Sequence, residues 1–385
     1  MRRRRVAVVT GTRAEYGLLA PLIARLRRDP AFDCRVIVTG AHLDRRHGLT
    51  VRELEADRVP IAARVPLRQR GDDGAAVADA LAAAVKGLSR AYARLKPELV
   101  VVLGDRFEAF AAGAAALPNG IPVAHLHGGE ATEGVWDDAL RHALTKLSHL
   151  HFAAAPGYAR RLARLGEEPR RIFMTGSPAL DRLRELPRLP RRELERSLGL
   201  DLRAPVLVAA YHPETLAADR GLSQCRAMLA ALGRTRGTIV LTAPNADAGG
   251  RAVRAELEAF VRRSGGRAKL FDSLGQKRFY SLLAVADAMV GNSSSGILEA
   301  PYFGLPVVNL GARQDGRERL GPTIEVPRPT AASVGAALRR ALSPAYRARL
   351  RRRAAAGGSP SDRIVGVLKR IKWDDLLVKR FHDAA

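Results

Sequence analysis

Short runs of β-branched and apolar residues recur along the chain, and longer stretches with helical apolar spacing lie between them. VAVVT (6–10), RVIVTG (35–40), ELVVVLG (98–104), IPVAHL (121–126) and RIFMTG (171–176) predict buried parallel strands. Amphipathic or alanine-rich segments such as 17–28, 75–95 and 138–149 predict the intervening helices. The alternation breaks at LPRLPRRE (186–193), a Pro/Arg stretch that reads as a linker. It resumes with APVLVAAY (204–211), TIVLTAP (238–244), AKLFD (268–272), AMVGN (288–292) and LPVVNLG (305–311). The final residues, KRIKWDDLLVKRFHDA, predict one more helix.

This is βαβα organisation twice over, an α/β fold with two doubly wound, Rossmann-like domains. The expected boundaries are 1–186 for the first domain, 187–203 for a linker and helix, 204–360 for the second domain and 361–385 for a C-terminal helical segment. Ligands of such sheets bind beyond the carboxyl ends of the strands, so the loops there should hold the chemistry.

The chain has 385 residues, 47% of them apolar, which suits two domains with cores of their own and excludes a disordered protein. No apolar run approaches the roughly 18–20 residues of a membrane span. The opening MRRRRVAVVT imitates a signal-peptide start, but its apolar stretch is too short. Cys34 and Cys225 lie far apart, with no metal or disulfide spacing. A cytoplasmic chain without membrane attachment is expected. The net charge of +25 invites a nucleic-acid reading. However, the basic residues are mostly Arg and run from end to end, with no RNA-binding signature beside them. A solvated basic surface is the simpler account.

TGTRAEYG (10–17) follows the first strand and opens a helix, but it is neither a dinucleotide fingerprint nor a Walker motif. Gly11 permits a tight turn, and Arg13 falls near a helix N-terminus, where an anion is favoured. The plain alternative is an ordinary strand-to-helix turn. GNSSSGILEA (291–300) is a stronger signal. Asn292, Ser293 and Ser294 crowd a strand end before a helix expected from about Gly296, an arrangement suited to a diphosphate. Simple serine capping is the alternative. Glu299, one turn in, suits a ribose diol, and Arg313 and Arg317 add cations after the next strand. Together these predict a nucleotide diphosphate on the second domain, with no dinucleotide, cofactor or metal.

Residues 122–153 hold His125, His127, His142, His149 and His151, five of the chain's nine histidines, together with Glu130, Glu133, Asp137 and Asp138. The pairs His125/His127 and His149/His151 lie at opposite ends of a helix, and no HExxH or Cys-containing spacing accompanies them, which argues against a metal. Acid–base work fits better. Asp105 comes directly after a strand, with Arg106 beside it as a further substrate-binding candidate. The next strand delivers His125, His127 and Glu130. The following helix opens with Asp137 and Asp138, with Arg141 and His142 one turn later on the same respective faces. The bland reading is that Asp137 or Asp138 caps the helix and His142 pairs with Asp138. In the second domain YHPET (211–215) places His212 after the first strand.

TGTRAEYGLLAPLI, GDRFEAFA, HLHGGEATEGVWDDALRHALTKLSH, YHPET, APNADAGG and GNSSSGILEAPYFGLPVVNLGARQDGRE resemble the hydrolysing UDP-N-acetylglucosamine 2-epimerase family, in order, from about residue 6 to 320. The resemblance implies a GT-B-type fold with its active site in the inter-domain cleft. The nucleotide would sit mainly on the second domain and the sugar over the first. It also implies conversion of a UDP-linked 2-acetamido sugar to UDP and the free C2-epimer, typically N-acetylmannosamine for sialic-acid-type pathways, by a homo-oligomer (dimer or tetramer). By motif match Asp105 and Asp137 are the leading proton-transfer candidates, with Asp138 close by. His212 matches the family's catalytic histidine. Arg13, Ser293, Ser294, Glu299 and Arg313 match nucleotide-contacting positions.

One position departs from the pattern. Many members read H-x-E-G-G-E where this chain reads HLHGGE, so His127 replaces a proposed acid–base Glu. Either His127 or Glu130 takes over that role, or the sugar differs. The family includes enzymes for 2,4-diacetamido-6-deoxy sugars of legionaminic-type pathways. Three other readings remain: a non-hydrolysing epimerase, a GT-B glycosyltransferase and a basic nucleic-acid-binding protein.

Overall fold

The computed structural model describes residues 2–45, 48–67, 74–132, 136–214, 218–219, 221–244, 250–319, 321–351 and 358–383. The chain divides into two compact units, Met1–Arg184 with Gly358–Ala385, and Glu185–Gly357.

The first unit is built on strands β1 (Arg4–Thr10), β2 (Phe32–Thr39), β3 (Ile61–Val65), β4 (Leu99–Leu103), β5 (Val123–Leu126), β6 (Leu150–Ala153) and β7 (Ile172–Met174). They form one parallel sheet in the order β3-β2-β1-β4-β5-β6-β7. The second contains β8 (Val206–Ala210), β9 (Thr238–Thr242), β10 (Ala268–Phe271), β11 (Ala288–Gly291), β12 (Val307–Leu310) and β13 (Thr323–Val326), ordered β10-β9-β8-β11-β12-β13. The central strands β4, β8 and β11 are fully buried, as expected of sheets covered on both faces. In each order the direction of winding reverses once, between β1 and β4 and between β8 and β11. These reversals are the topological switch points where doubly wound sheets take ligands.

β3, β6 and β13 were not expected from the sequence. Each is only four or five residues long, and Arg64, His151 and Glu325 break their apolar runs. The helix expected over 138–149 runs from Asp137 to Leu147, stops at an extended Ser148, and gives way to β6. His149 and His151 therefore belong to the sheet and its approach, not to the helix. Among the described residues no helix is long and apolar enough to cross a membrane.

The helix Arg13–Arg28 starts with a reciprocal capping box. Thr12 Oγ1 accepts the Glu15 N–H at 3.3 Å, and the Glu15 carboxylate accepts the N–H groups of Gly11 (2.6 Å) and Thr12 (3.3 Å).

The C-terminal segment expected to be helical throughout is not. Helix Pro360–Arg370 packs on helix Arg13–Arg28, and its Ile364 and Leu368 enter the first unit's core. Beyond Arg370 the chain runs as an irregular strap whose backbone carbonyls are claimed by side chains. Arg171 donates to the carbonyls of Leu376 (2.8 Å) and Val378 (2.5 Å), and Trp373 stacks on Phe32 at 6.2 Å. Lys379 donates to the carbonyls of Lys146 (3.0 Å) and Ser148 (2.8 Å) at the end of helix Asp137–Leu147. It also meets the buried carboxylate of Glu167, which His151 and Lys146 share. Burial alone would raise Glu167; these three partners outweigh it and hold the group down at about 2.

Candidate active site

At the first unit's switch point, Asp105 and Arg106 follow β4, and the loop Gly11–Thr12 follows β1. The buried guanidinium of Arg141, on helix Asp137–Leu147, ties this edge together. It donates to Asp105, to Thr132 Oγ1 (3.2 Å) and to the His127 carbonyl (3.2 Å), and lies 3.7 Å from Glu130. Asp105 keeps partial access to solvent while Arg141 has almost none. Asp137 opens the same helix. Burial raises its pKa, and the negative charge of Asp105 raises it further against the pull of Arg106. The site thus holds two carboxyls in unlike settings, one on a guanidinium and one pushed toward its protonated form. That is the arrangement from which an acid and a base are made.

His127 and Glu130 are both buried, with His127 Nδ1 2.7 Å from a Glu130 carboxylate oxygen. The HGGE turn that carries them is tightly wound. His127 takes a left-handed φ of +65°, and Gly129 has φ +77° where a Cβ would collide with the Tyr158 carbonyl. Asp138 turns instead to the loop, accepting the Thr132 N–H at 2.8 Å and facing His142 at 3.4 Å. Arg106 spends its guanidinium on Glu108, at 3.1 and 3.2 Å. Arg13 is half exposed and pairs with Glu53 at 2.8 Å.

The other histidines of the rich stretch are structural. His125 Nε2 sits 2.8 Å from the Gly104 carbonyl and must carry the hydrogen, while burial pushes its pKa down to about 3. His149 accepts the Val123 N–H at 3.2 Å and is pushed down to about 4 by burial. His151 is buried against Glu167 at 2.8 Å. Among the described residues, no group of three or more His, Cys, Asp or Glu could hold a metal ion.

At the second unit's switch point, His212 follows β8 and Asn292 follows β11. The Asn292 side chain grips the backbone of His212, accepting its N–H at 2.7 Å and donating to its carbonyl at 2.8 Å. The Asn292 carbonyl receives Arg313 (3.3 Å) and Gln314 (2.9 Å). Asn292, expected to contact the nucleotide, is thus occupied in holding the loop. Burial and then the charge of Arg313 push His212 down to about 4, so it is neutral near pH 7. Close approach is built in at Gly291, φ +136°, where a Cβ would strike the Ala210 carbonyl. The helix after β11 starts at Ser294, not near Gly296, because Ser293 Oγ caps it by accepting the Ser295 N–H at 3.3 Å. Glu299 ends that helix and accepts the Tyr280 hydroxyl at 3.1 Å. Burial raises its pKa against the hydrogen bonds of Ser295 and Tyr280.

Glu133–Val135, Thr215 and Asn245–Gly249 of the quoted motifs lie outside the described residues. Four residues of the first unit were passed over as site candidates. Arg141 was read only as a helix neighbour, although its spacing from Asp138 marks it. Glu15 was visible as the last residue of a T-x-x-E capping box. Glu108 and Ser177 gave no local signal.

Two doubly wound, Rossmann-like units, each with a polar cluster at its switch point, define a two-domain α/β protein of the GT-B type. A family model described as UDP-N-acetylglucosamine 2-epimerase matches residues 24–369. The chain is 37% identical over 320 residues to a GDP/UDP-N,N'-diacetylbacillosamine 2-epimerase (hydrolyzing) of Campylobacter jejuni, covering 83% of each. It is also 37% identical over 323 residues to a UDP-N,N'-diacetylbacillosamine 2-epimerase (hydrolyzing) of Legionella pneumophila, covering 84% of this chain and 85% of that one. The crystal structure of a UDP-GlcNAc 2-epimerase from Neisseria meningitidis, bound to UDP-GlcNAc, superposes with a TM-score of 0.78 at 20% identity. That match covers 95% of this chain and 100% of the other, and shows the shared fold. The chain belongs to the hydrolysing UDP-N-acetylglucosamine 2-epimerase family, as its motifs indicated.

Proposed function

We propose that this enzyme converts a UDP-linked 2,4-diacetamido-6-deoxy sugar to UDP and the free C2-epimer. The C2 proton of such a sugar is not adjacent to a carbonyl, so its removal must be coupled to loss of UDP from C1. A glycal results; water then adds at C1 while a proton returns to the other face of C2. Two differently placed acid–base groups and a binding site for the departing diphosphate are needed. Asp105, set on Arg141, serves as the base, and Asp137, raised toward its protonated form, as the acid. His127 and Glu130 supply a second proton path. In the second unit Ser294 and Arg313 take the diphosphate, neutral His212 donates to it and Glu299 accepts from the ribose.

The observation that carries the choice of sugar is the 37% identity to two relatives that are named for diacetylbacillosamine. The test is incubation with UDP-N,N'-diacetylbacillosamine and with UDP-N-acetylglucosamine in deuterated water, followed by NMR. The expected result is UDP and a free epimer deuterated at C2, formed faster from the diacetamido sugar. A faster reaction with UDP-N-acetylglucosamine refutes the substrate choice. An epimer still bearing UDP refutes the hydrolytic step.

A further inference from the structure

His127 stands between a carboxylate and a hydroxyl. Nδ1 lies 2.7 Å from Glu130 and Nε2 lies 3.0 Å from Ser177 Oγ. Ser177 follows β7, at the same carboxyl edge of the sheet. The three residues are 7%, 5% and 7% exposed. That Glu130 oxygen makes no aligned hydrogen bond, but two bare lone pairs so close would repel, so Nδ1 carries a hydrogen. Ser177 Oγ accepts the Ala179 N–H at 3.2 Å, which leaves its own hydrogen to point at Nε2 when the imidazole is neutral. Once the imidazole is protonated, Nε2–H donates to the remaining lone pair of Oγ.

The backbone keeps the ring in line. The His127 N–H donates to the Phe152 carbonyl at 3.1 Å, and its carbonyl accepts from Arg141 at 3.2 Å. These contacts hold a left-handed conformation that residues other than glycine seldom adopt. An imidazole with a carboxylate beside one nitrogen and a hydroxyl on the other is poorly placed to touch a sugar itself.

We infer that Glu130, His127 and Ser177 form a proton relay in which the Ser177 hydroxyl, not the imidazole, meets the reacting proton. The relay rests on the hydrolysing 2-epimerase reading. A proton arriving at Ser177 Oγ displaces the hydroxyl's own proton onto His127 Nε2. Ser177 ends neutral, and the imidazolium is balanced by the Glu130 carboxylate. The reverse sequence returns the proton to the site.

The experiment compares wild type with Ser177→Ala, Ser177→Thr, His127→Asn and the Ser177→Ala/His127→Asn double variant, timing UDP release from UDP-N,N'-diacetylbacillosamine. Each loss-of-function single variant is expected to lower kcat about 100-fold or more, with KM nearly unchanged. The double variant should fall little further, because the residues act as a unit. Ser177→Thr, which keeps the hydroxyl, should recover most of the rate. A Ser177→Ala enzyme within about threefold of wild type, beside an inactive His127→Asn, overturns the relay and places the imidazole on the substrate. If Ser177→Ala does not fold, Ser177→Cys takes its place. A second readout needs no turnover: imidazole 15N shifts should report His127 as the Nδ1–H tautomer, with Nε2 released in the Ser177 variant. The Nε2–H tautomer refutes the relay. Failure of wild type to release UDP while the Nδ1–H tautomer is seen overturns the activity reading alone.

Discussion

Around the first unit's switch point, loops and helix starts carry Asp105, Glu108, Glu130 and Asp137 against the guanidinium groups of Arg106 and Arg141. At the second, the Asn292 amide and the Ser293 hydroxyl are spent on the loop and helix cap around a neutral His212, with Arg313 as the cation beside them. The same fold thus presents two unlike surfaces. Moving protons requires groups that change charge, and these must be buried with counter-charges to hold distinct pKa values. Gripping an anion requires fixed donors that never change charge, and neutral ones cost little to bury.

Removing a buried counter-charge should therefore hurt the first unit most. Arg141→Met leaves Asp105 and Glu130 unbalanced, and the expected loss is about 3–5 kcal/mol of stability together with most turnover. Urea melts and initial rates measure both; a stable, active Arg141→Met would mean that the hub is ornamental. Next, Asp105→Asn should keep UDP binding but lose at least about 100-fold in turnover. Ser294→Ala and Arg313→Ala should instead weaken UDP affinity, read by calorimetry. Equal effects of both kinds on kcat would erase the contrast between the units.

A smaller effect is expected at Asn292→Ala, which strips two hydrogen bonds from the His212 backbone and should cost about 1–3 kcal/mol. Acid response separates the units further. Burial holds His42 and His149 at about 4 and His125 at about 3 in the first unit, and His212 at about 4 in the second. Unfolded histidines take up protons near 6.5, so as pH falls from about 6.5 to 4 the unfolded state binds more and stability is lost. Glu15, raised by burial and then by Glu108 to about 7, works the other way, because its folded form keeps a proton that the unfolded chain sheds above about 4.5. Hydrogen exchange at pH 7 and pH 4.5 should show the first unit loosening more than the second, and Glu15→Gln should steepen that loss. The least effect belongs to His142→Ala, a partly exposed pairing with Asp138 worth under about 1 kcal/mol.

Much of this was legible along the chain. Fully apolar strands such as β4 and β8 announced themselves, and the residues just after them are where chemistry gathers. What stayed hidden depends on distant partners. β6 is four residues long and includes His151, whose polarity is absorbed by Glu167 sixteen residues away. The C-terminal strap has helical composition, yet Arg171 takes its carbonyls from across the unit, and no local pattern encodes that. Ser177 lies fifty residues from the histidine it meets. His125 and His127 look equivalent in sequence, but only the fold makes one a wall of the site and the other a candidate actor.

The strap also sets an order of assembly. Ile364, Leu368 and Leu376 complete the first unit's core, yet the ribosome makes them only after all of the second unit. At roughly 5–20 residues per second, the first sheet waits on the order of ten seconds or more for its last pieces. During that interval Glu167 has no Lys379 and helix Asp137–Leu147 lacks the cation that ends it. The second unit is free to fold first, and the first becomes whole only after all of the second has been made.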